Sequence, residues 1–200
     1  MVLADVPLLK GRDPVDVCRH AVAGGATMVQ VRWKDGAAPA IRDVATRLVA
    51  ALDVPILVND RVDVALAAGA AGAHLGQDDP PLDALRPHLP SGFLLGVSVG
   101  TREEAERARS WAADYWSVGP CYATTTKPDA GAALGPEGFA AVARLAAPGV
   151  PVLGIGGITP GNAGAVVAAG AAGVAVAAAV ISARDPEAAA RALRSAIAVA

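Results

Sequence analysis

Residues 56–79 read ILVNDRVDVALAAGAAGAHLGQDD and contain two short apolar runs, each followed at once by polar and acidic residues. The runs cover residues 56–58 and 72–75, and a segment of helical length lies between them. If the runs are neighbouring parallel strands, the side chains that follow them meet at one edge of a sheet. Asp60 and Asp79 would then converge there. Two hard oxygen ligands in such a place predict a Mg²⁺ site that holds a substrate phosphate.

The rest of the chain repeats this alternation of a short apolar run and an Ala-rich helix. The predicted strands cover residues 2–4, 28–32, 56–58, 73–75, 94–98, 115–118, 152–154 and 174–177. Eight βα units of about 25 residues predict an α/β fold, a (β/α)₈ TIM barrel that forms a single domain over residues 1–200. A doubly wound open sheet is the alternative. It is less favoured because the first glycine-rich turn follows a helix and not a strand.

Three helices are predicted to begin with a capping side chain followed by proline. These pairs are Asp13-Pro14, Asp79-Pro80 and Thr159-Pro160. Asp60 and Asp79 therefore have a second interpretation, in which each only caps the helix that follows it. Two acidic caps side by side would repel each other without a cation, so we favour the metal site.

Composition excludes several functional classes. The net charge is −2 with both signs interspersed, so no electrostatic footprint for nucleic acid or an anionic membrane is present. Cys18 and Cys121 lie far apart, which argues against a disulfide scaffold or a zinc site and for a reducing cytosol.

No signal peptide is evident, and the uncharged segment 163–181 is interrupted by Gly170 and Gly173. We expect a soluble, cytoplasmic protein. The Ala-rich helices are compatible with a homo-oligomer but mark no interface.

Cations and amides cluster after the second predicted strand. Gln30 and Arg32 point to one face by strand alternation, and Lys34 extends that row. An inward Gln–Arg row would be costly unless satisfied, so this edge predicts binding of a ligand with several phosphate oxygens.

Further candidates follow the fifth, sixth and seventh predicted strands. Ser98 ends the fifth strand as a donor to an anion, and Thr124, Thr126 and Lys127 lie in a long loop after the sixth. After the seventh strand, Gly157 exposes backbone N–H groups where barrels commonly bind a phosphate.

Together these motifs resemble the thiamine phosphate synthase family. The matching segments run in one order from about residue 24 to residue 181: GGATMVQVRWK, ILVNDRVDVALAAGAAGAHLGQDD, LLGVSVGTREEA, ADYWSVGPCYATTTK, LGPEGF, VPVLGIGGITPGN and AAGVAVAAAV. The motifs Val-Gln-x-Arg-x-Lys, Asn-Asp-Arg, His-x-Gly-Gln-x-Asp and Gly-Pro-x-x-x-Thr-x-Thr-Lys are specific in combination.

The resemblance implies an enzyme of thiamine biosynthesis that joins hydroxymethylpyrimidine diphosphate to a thiazole phosphate, or to its carboxylated form, and releases diphosphate. It also implies roles for particular residues. Arg32, Lys34, Ser98 and Lys127 would take part in catalysis. The pyrimidine diphosphate would be bound by Gln30, Arg32, Lys34, Asn59, Ser98 and Lys127. Asp60 and Asp79 would ligate Mg²⁺. The thiazole phosphate would be bound by Thr124, Thr126, Gly157, Ala177 and Ala178.

The chain also departs from the family pattern. Family members often have histidine at Gly100, an acid at Trp33, an aliphatic residue at Trp116 and serine at Ala178. The related thiazole tautomerase is the nearest alternative, but it would not need Arg32, Lys34, Asp60 and Asp79 together. A sugar-phosphate isomerase barrel would share the phosphate site but lack the pair of carboxylates. The intact cationic row together with both carboxylates argues against a non-catalytic phosphate sensor.

Overall fold

Eight short strands, built mostly from buried aliphatic residues, make up the sheet of the computed structural model, which describes residues 1–127 and 130–198. The strands are β1 Val2–Asp5, β2 Val29–Arg32, β3 Ile56–Asn59, β4 Gly72–Leu75, β5 Leu94–Val99, β6 Tyr115–Val118, β7 Val152–Ile155 and β8 Gly173–Ala175. They form one sheet in the order β1 to β8. Within it, β1 to β4 pair in parallel, and so do β5 to β8.

Helices alternate with these strands along the chain. They are α1 Val6–Leu9, α2 Pro14–Ala23, α3 Ala38–Ala51, α4 Val62–Ala67, α5 Leu82–Leu85 with a 3₁₀ turn at Arg86–His88, α6 Arg102–Ala108, α7 Gly135–Ala143, α8 Ala163–Ala168, α9 Ala178–Ile181 and α10 Pro186–Ala198. This alternation and the strand order confirm the prediction of the (β/α)₈, TIM-barrel class. They exclude the doubly wound sheet, whose strand order reverses. No helix in the described parts of the chain is both long and apolar enough to cross a membrane.

The chain divides into two compact units. The first unit comprises Met1–His74 and Val176–Ser195, and the second comprises Leu75–Ala175 and the C-terminal residues from Ala196. The prediction of a single domain over residues 1–200 stays a prediction.

In the first unit, the beginning of the chain is tied to residues that follow β8. The N–H of Leu3 donates to the carbonyl of Val176 at 2.8 Å, and the N–H of Val176 donates to the carbonyl of Met1 at 3.2 Å. The register between β1 and β2 places Asp5 opposite Arg32. The short strand β1 thus ends in an acid that faces a base.

In the second unit, one face of the sheet packs on helices and the other faces away from them. A Cβ added at Gly154 would lie 2.3 Å from the Val166 side chain of α8, so Gly154 faces the helices. Trp116 of β6 shares that face because it pairs with Val152, two residues before Gly154. Side chains alternate along a strand, so Ser117 points to the opposite face, which we call the inner face.

Most predicted strand ends are correct to within one residue, but two predicted caps are wrong. The Asp13 carboxylate caps α2 as expected, accepting from the N–H groups of residues 15 and 16. By contrast, α5 begins only at Leu82, after Asp79-Pro80, because the Asp79 carboxylate instead accepts the N–H of Gly76. Helix α8 begins at Ala163, four residues beyond Thr159, and Asn162 occupies its N-cap position. The eighth predicted strand also ends early, since Ala177 caps α9.

Candidate functional site

The cationic row on β2 rests on a buried acid. The Arg32 guanidinium lies 2.5 Å from the carboxylate of Asp5, and the two side chains are 16% and 4% exposed. The sequence analysis missed Asp5 because the first predicted strand ended one residue earlier. Its position directly after an apolar run, like that of Asp60, is the signal that could have found it. An arginine held in this way has a defined direction at the carboxyl end of β2.

The neighbours of Arg32 on this row differ in exposure. Gln30 is almost completely buried, and its amide nitrogen lies 3.7 Å from the Met1 sulfur. Lys34 lies beyond the strand and is exposed. Register places Gln30 and Arg32 on one face of β2, opposite Leu3 and Asp5 of β1. The predicted Gln–Arg row therefore exists, with one buried polar end and one paired cation.

Asp60 follows β3 in a left-handed backbone conformation. Its φ is 61°, and its N–H donates to the carbonyl of His74 at 2.8 Å. Aspartate adopts this conformation more readily than most residues, yet such positions concentrate at functional sites. Helix α4 begins at Val62, and Arg61 occupies its N-cap position. The half-buried Asn59 is the last residue of β3 and pairs in register with His74.

A turn after β4 positions Asp79. Its carboxylate accepts the N–H of Gly76 at 2.7 Å, which leaves the half-buried side chain at the turn instead of at a helix. Between them, the Gln77 amide donates to the carbonyl of Ser98 at 2.7 Å and accepts from Arg107 at 3.2 Å. Gln77 thereby links this turn to the end of β5 and holds the Ser98 backbone in place.

The donors near the predicted metal site are oxygen atoms. In the described ranges 1–127 and 130–198, no group of three or more His, Cys, Asp or Glu side chains is arranged to hold a metal ion. Mg²⁺ commonly uses only one or two protein carboxylates and keeps several waters. Asp60 and Asp79, with the amide of Asn59, therefore suit Mg²⁺ by their chemistry. Their binding of one ion stays a prediction.

Both ends of the long loop after β6 are tied by backbone hydrogen bonds. Its first residues run beside the end of β7, since the N–H of Cys121 donates to Ile155 at 2.7 Å and that of Tyr122 to Gly156 at 3.0 Å. Its far end returns to the same place, where the N–H of Gly135 donates to the carbonyl of Cys121 at 2.9 Å. The loop is thus closed at its base, beside the glycines predicted to bind phosphate.

The predicted ligand-binding residues of this loop lie in its first half. Thr124 and Thr126 are half-buried, and the N–H of Thr126 donates to the Thr124 hydroxyl at 3.3 Å. Lys127 is exposed at the end of this stretch. A motif with two half-buried hydroxyls and an exposed cation beyond them can bind an anion.

Gly157 occupies a position that only glycine fits. Its φ is 63°, and a Cβ there would lie 2.5 Å from the carbonyl oxygen of Ala123 and 2.7 Å from the Cβ of Tyr122. The Asn162 amide donates to the Gly157 carbonyl at 3.0 Å, and the Tyr122 hydroxyl donates to the Asn162 carbonyl at 3.3 Å. The loops after β6 and β7 therefore brace one another. Sequence reasoning missed Tyr122 and Asn162.

Ala177 and Ala178 begin the short helix α9 in the first unit. Ala177 caps the helix and is half-buried, while Ala178 is exposed. The first N–H groups of a helix have no partner within it, so they suit an anion only where other groups assist. Arg12 secures the other end of α9 by donating to the carbonyls of Ile181 and Ala183.

Cys121 is a packing residue. Its side chain is buried, its sulfur donates to the carbonyl of Val118 at 3.6 Å, and burial raises the pKa of its thiol to about 11. A thiol with such a pKa stays protonated near neutrality and is a poor nucleophile.

Comparison with known proteins identifies the family. The family model described as thiamine monophosphate synthase matches residues 3–180. The chain is 48% identical over 195 residues to the thiamine-phosphate synthase of Roseiflexus castenholzii, covering 96% of this chain and 85% of that one. It is 45% identical over 205 residues to the thiamine-phosphate synthase of Chloroflexus aurantiacus, covering 99% and 92%. The chain belongs to the thiamine monophosphate synthase family.

A solved structure of this family has the same fold. The thiamine phosphate pyrophosphorylase from Pyrococcus furiosus superimposes with a TM-score of 0.86 at 33% identity, covering 99% of this chain and 94% of that one. Membership of the thiamine monophosphate synthase family makes this chain a transferase of thiamine biosynthesis.

The departures from the family pattern lie in different surroundings. Trp116 is 1% exposed and faces the helices, so its bulk lies away from the inner face. The ring of Trp33 lies where a Cβ at Gly36 would be, 2.5 Å from its Cγ. The N–H of Gly100 donates to the Glu104 carboxylate at 2.5 Å. Ala178 is the departure that falls at a residue predicted to bind the substrate.

Proposed function

We propose that this chain joins hydroxymethylpyrimidine diphosphate to a thiazole phosphate, with Mg²⁺, to give thiamine phosphate and diphosphate. The observation that carries the proposal is the position of the motif residues in a chain of this family. Nearly all of them lie at or just beyond the carboxyl ends of parallel strands, where this fold performs its chemistry: Gln30, Arg32, Asn59, Asp60, Asp79, Ser98, Thr124, Thr126, Lys127 and Gly157.

The diphosphate calls for positive charge, which the chain supplies locally. Arg32 is oriented by the buried Asp5, while Lys34 and Lys127 are exposed and can follow the ligand. An overall charge of −2 would not attract a diphosphate, so these three cations carry its recognition. The guanidinium can bind two phosphate oxygens at once, and an ammonium acts as a point charge.

The carboxylates have a different role from the cations. Asp60 and Asp79 would hold Mg²⁺, which when bound neutralises charge that develops on the departing diphosphate. Asp60 has a left-handed backbone and Asp79 accepts the N–H of Gly76, while Arg61 and Pro81 occupy the N-cap positions of the helices that follow. We assign them to metal binding and not to general acid–base catalysis.

The second substrate carries its own phosphate. The hydroxyls of Thr124 and Thr126 and the backbone at Gly157 would bind it, with N–H groups at Ala177 and Ala178. The brace between Gly157, Tyr122 and Asn162 supports this role, because a fixed backbone N–H binds an anion with little loss of entropy. A serine at position 178 would add a hydroxyl contact to this phosphate, which Ala178 cannot make.

The reaction exchanges one bond for another. The bond between the pyrimidinylmethyl carbon and the diphosphate oxygen breaks with its electron pair leaving on oxygen, and the thiazole nitrogen donates its pair to that carbon. Holding the thiazole next to the carbon removes an entropic barrier, and fixed cations stabilise the leaving group more in its departing state than in the substrate. No proton transfer is needed in this step, in keeping with the assignment of the acids.

An assay of diphosphate release tests the proposal. The purified protein is incubated with Mg²⁺ and either substrate alone, both, or neither, and thiamine phosphate is measured by mass spectrometry. We expect release only with both substrates, with one thiamine phosphate formed for each diphosphate. Conversion of a carboxylated thiazole phosphate to its isomer without diphosphate release would instead indicate a tautomerase. No reaction in any mixture would refute an enzymatic role with these substrates.

A variant separates the loop cation from general surface charge. Lys127→Ala should lower turnover, because the diphosphate loses a cation. Arg19→Ala, which removes an exposed cation on α2, should leave it unchanged. Equal turnover of Lys127→Ala and the wild type at saturating Mg²⁺ would show that Lys127 has no such role.

A further inference from the structure

Ser117 presents a buried hydroxyl that the protein itself does not satisfy. The residue is 2% exposed, and among the residues that the structure describes its Oγ is the single buried side-chain nitrogen or oxygen without a hydrogen-bond partner. Serine hydroxyls usually avoid this state because a buried hydroxyl without a partner costs free energy. The position is central in β6, where any aliphatic residue would form the strand equally well.

The hydroxyl lies on the inner face of the sheet of the second unit. Ser117 pairs in register with Ser98 of β5 and with Leu153 of β7. Gly154, the next residue after Leu153, faces the helices, so Ser98, Ser117 and Leu153 point away from them. Ser117 therefore neighbours a residue already assigned to substrate binding, one strand further along the sheet.

The surroundings indicate the chemistry of the ligand. Toward the amino end of β6, the Tyr115 ring fills the space over Gly96, where an added Cβ would lie 2.1 Å from the ring. The register row of Ser117 contains no charged side chain. An aromatic ring and a row whose polar groups are neutral hydroxyls suit a flat, uncharged ring with polar atoms at its edge better than a phosphate, which needs cations.

We propose that the Ser117 hydroxyl binds the pyrimidine ring of the diphosphate substrate through a hydrogen bond to a ring nitrogen or to the exocyclic amine. A hydroxyl can donate to the first and accept from the second. This inference rests on the proposed function. It adds a specificity-determining residue to the pyrimidine site, beside Ser98 and apart from the cations that hold the diphosphate.

The test compares KM values for the two substrates in Ser117→Ala. We expect the KM for the pyrimidine diphosphate to rise about 3- to 10-fold, the loss of one hydrogen bond, with the KM for the thiazole phosphate unchanged. The ligand-free variant should be at least as stable to urea as the wild type, because the unsatisfied hydroxyl is gone. Ser110→Ala is the control, since the Ser110 hydroxyl is exposed and donates to the carbonyl of Arg107.

A second variant separates the hydrogen bond from the volume of the side chain. Ser117→Cys keeps the volume but offers only a weak donor, so its KM for the pyrimidine diphosphate should also rise. An unchanged KM in Ser117→Ala would overturn the inference, as would an equal rise for both substrates. If the wild type converts both substrates and Ser117→Ala has the same KM for the pyrimidine diphosphate, only this inference fails. If the wild type releases no diphosphate, the proposed function itself fails.

Discussion

The buried pair of Asp5 and Arg32 predicts a large loss of stability when the acid is neutralised. Asp5→Asn keeps the shape and an oxygen acceptor but removes the charge that Arg32 faces at 2.5 Å. Asp63 provides a matched control, because its carboxylate also lies 2.5 Å from an arginine, Arg61, but the two side chains are 43% and 66% exposed. The two pairs share their distance and differ in burial.

The magnitude follows from that burial. With Asp5 4% and Arg32 16% exposed, removal of the acid leaves a charge with little access to water, which costs about 3–5 kcal/mol. Asp5→Ala should therefore lose about 3–5 kcal/mol. Asp5→Asn should lose about 2 kcal/mol, since a hydrogen bond from the guanidinium to the amide oxygen is retained. Against a total stability of about 5–15 kcal/mol, either loss is easily measured.

Urea unfolding gives the free energies, and initial rates give the KM for the pyrimidine diphosphate. We expect that KM to rise in Asp5→Asn, because Arg32 loses the group that orients it, whereas Asp63→Asn should change neither stability nor KM. Equal losses of stability in the Asp5 and Asp63 variants would refute the argument from burial. A normal KM in a destabilised Asp5→Asn would refute the positioning role and leave only the structural one.

Three further predictions concern other parts of the site. Asp60→Asn should still fold, because asparagine also tolerates a φ of 61°, yet lose about 100-fold in Mg²⁺-dependent turnover; normal turnover would contradict metal binding. Gly157→Ala should lose about 2–4 kcal/mol in urea unfolding through its collision with Ala123, whereas Gly149→Ala, with a φ of 84° and open space, should lose less; equal losses would exclude the collision. Burial raises the pKa of Cys18 to about 12 and that of Cys121 to about 11. A thiol reagent at pH 8 should therefore label both only after unfolding, and rapid labelling of the folded protein would contradict this. The free energy of unfolding should also fall as the pH rises above 9, because the thiols then ionise more readily in the unfolded chain.

Local periodicity was enough to predict the class of fold. Short apolar runs separated by amphipathic helices leave few topologies, and the strands were located to within one or two residues. The polar residues at strand ends were equally visible, since a residue such as Asp60 stands out directly after a buried run. The neighbours of each strand in the sheet could be inferred only by assuming that consecutive strands pair in parallel.

The missed features depend on contacts between distant segments. Asp5 became recognisable only when the register placed it against Arg32, a relation that no local pattern contains. The cap predicted at Asp79 failed for a similar reason: its carboxylate accepts the N–H of Gly76 in the turn before the helix, and α5 begins only at Leu82. The left-handed backbone at Asp60 also makes Asn a better test of its charge than Ala, since alanine would add strain.

A Mg²⁺ titration of diphosphate release tests the central claim most directly, in the wild type, in Asp60→Asn and Asp79→Asn, and in the double variant. With both substrates present, we predict that the wild type releases diphosphate only when Mg²⁺ is added. Each single variant should need more Mg²⁺ or lose turnover, and the double variant should be little worse than the poorer single one, because both carboxylates serve one ion. Release without divalent cations, or single variants with the wild-type Mg²⁺ dependence, would contradict the account.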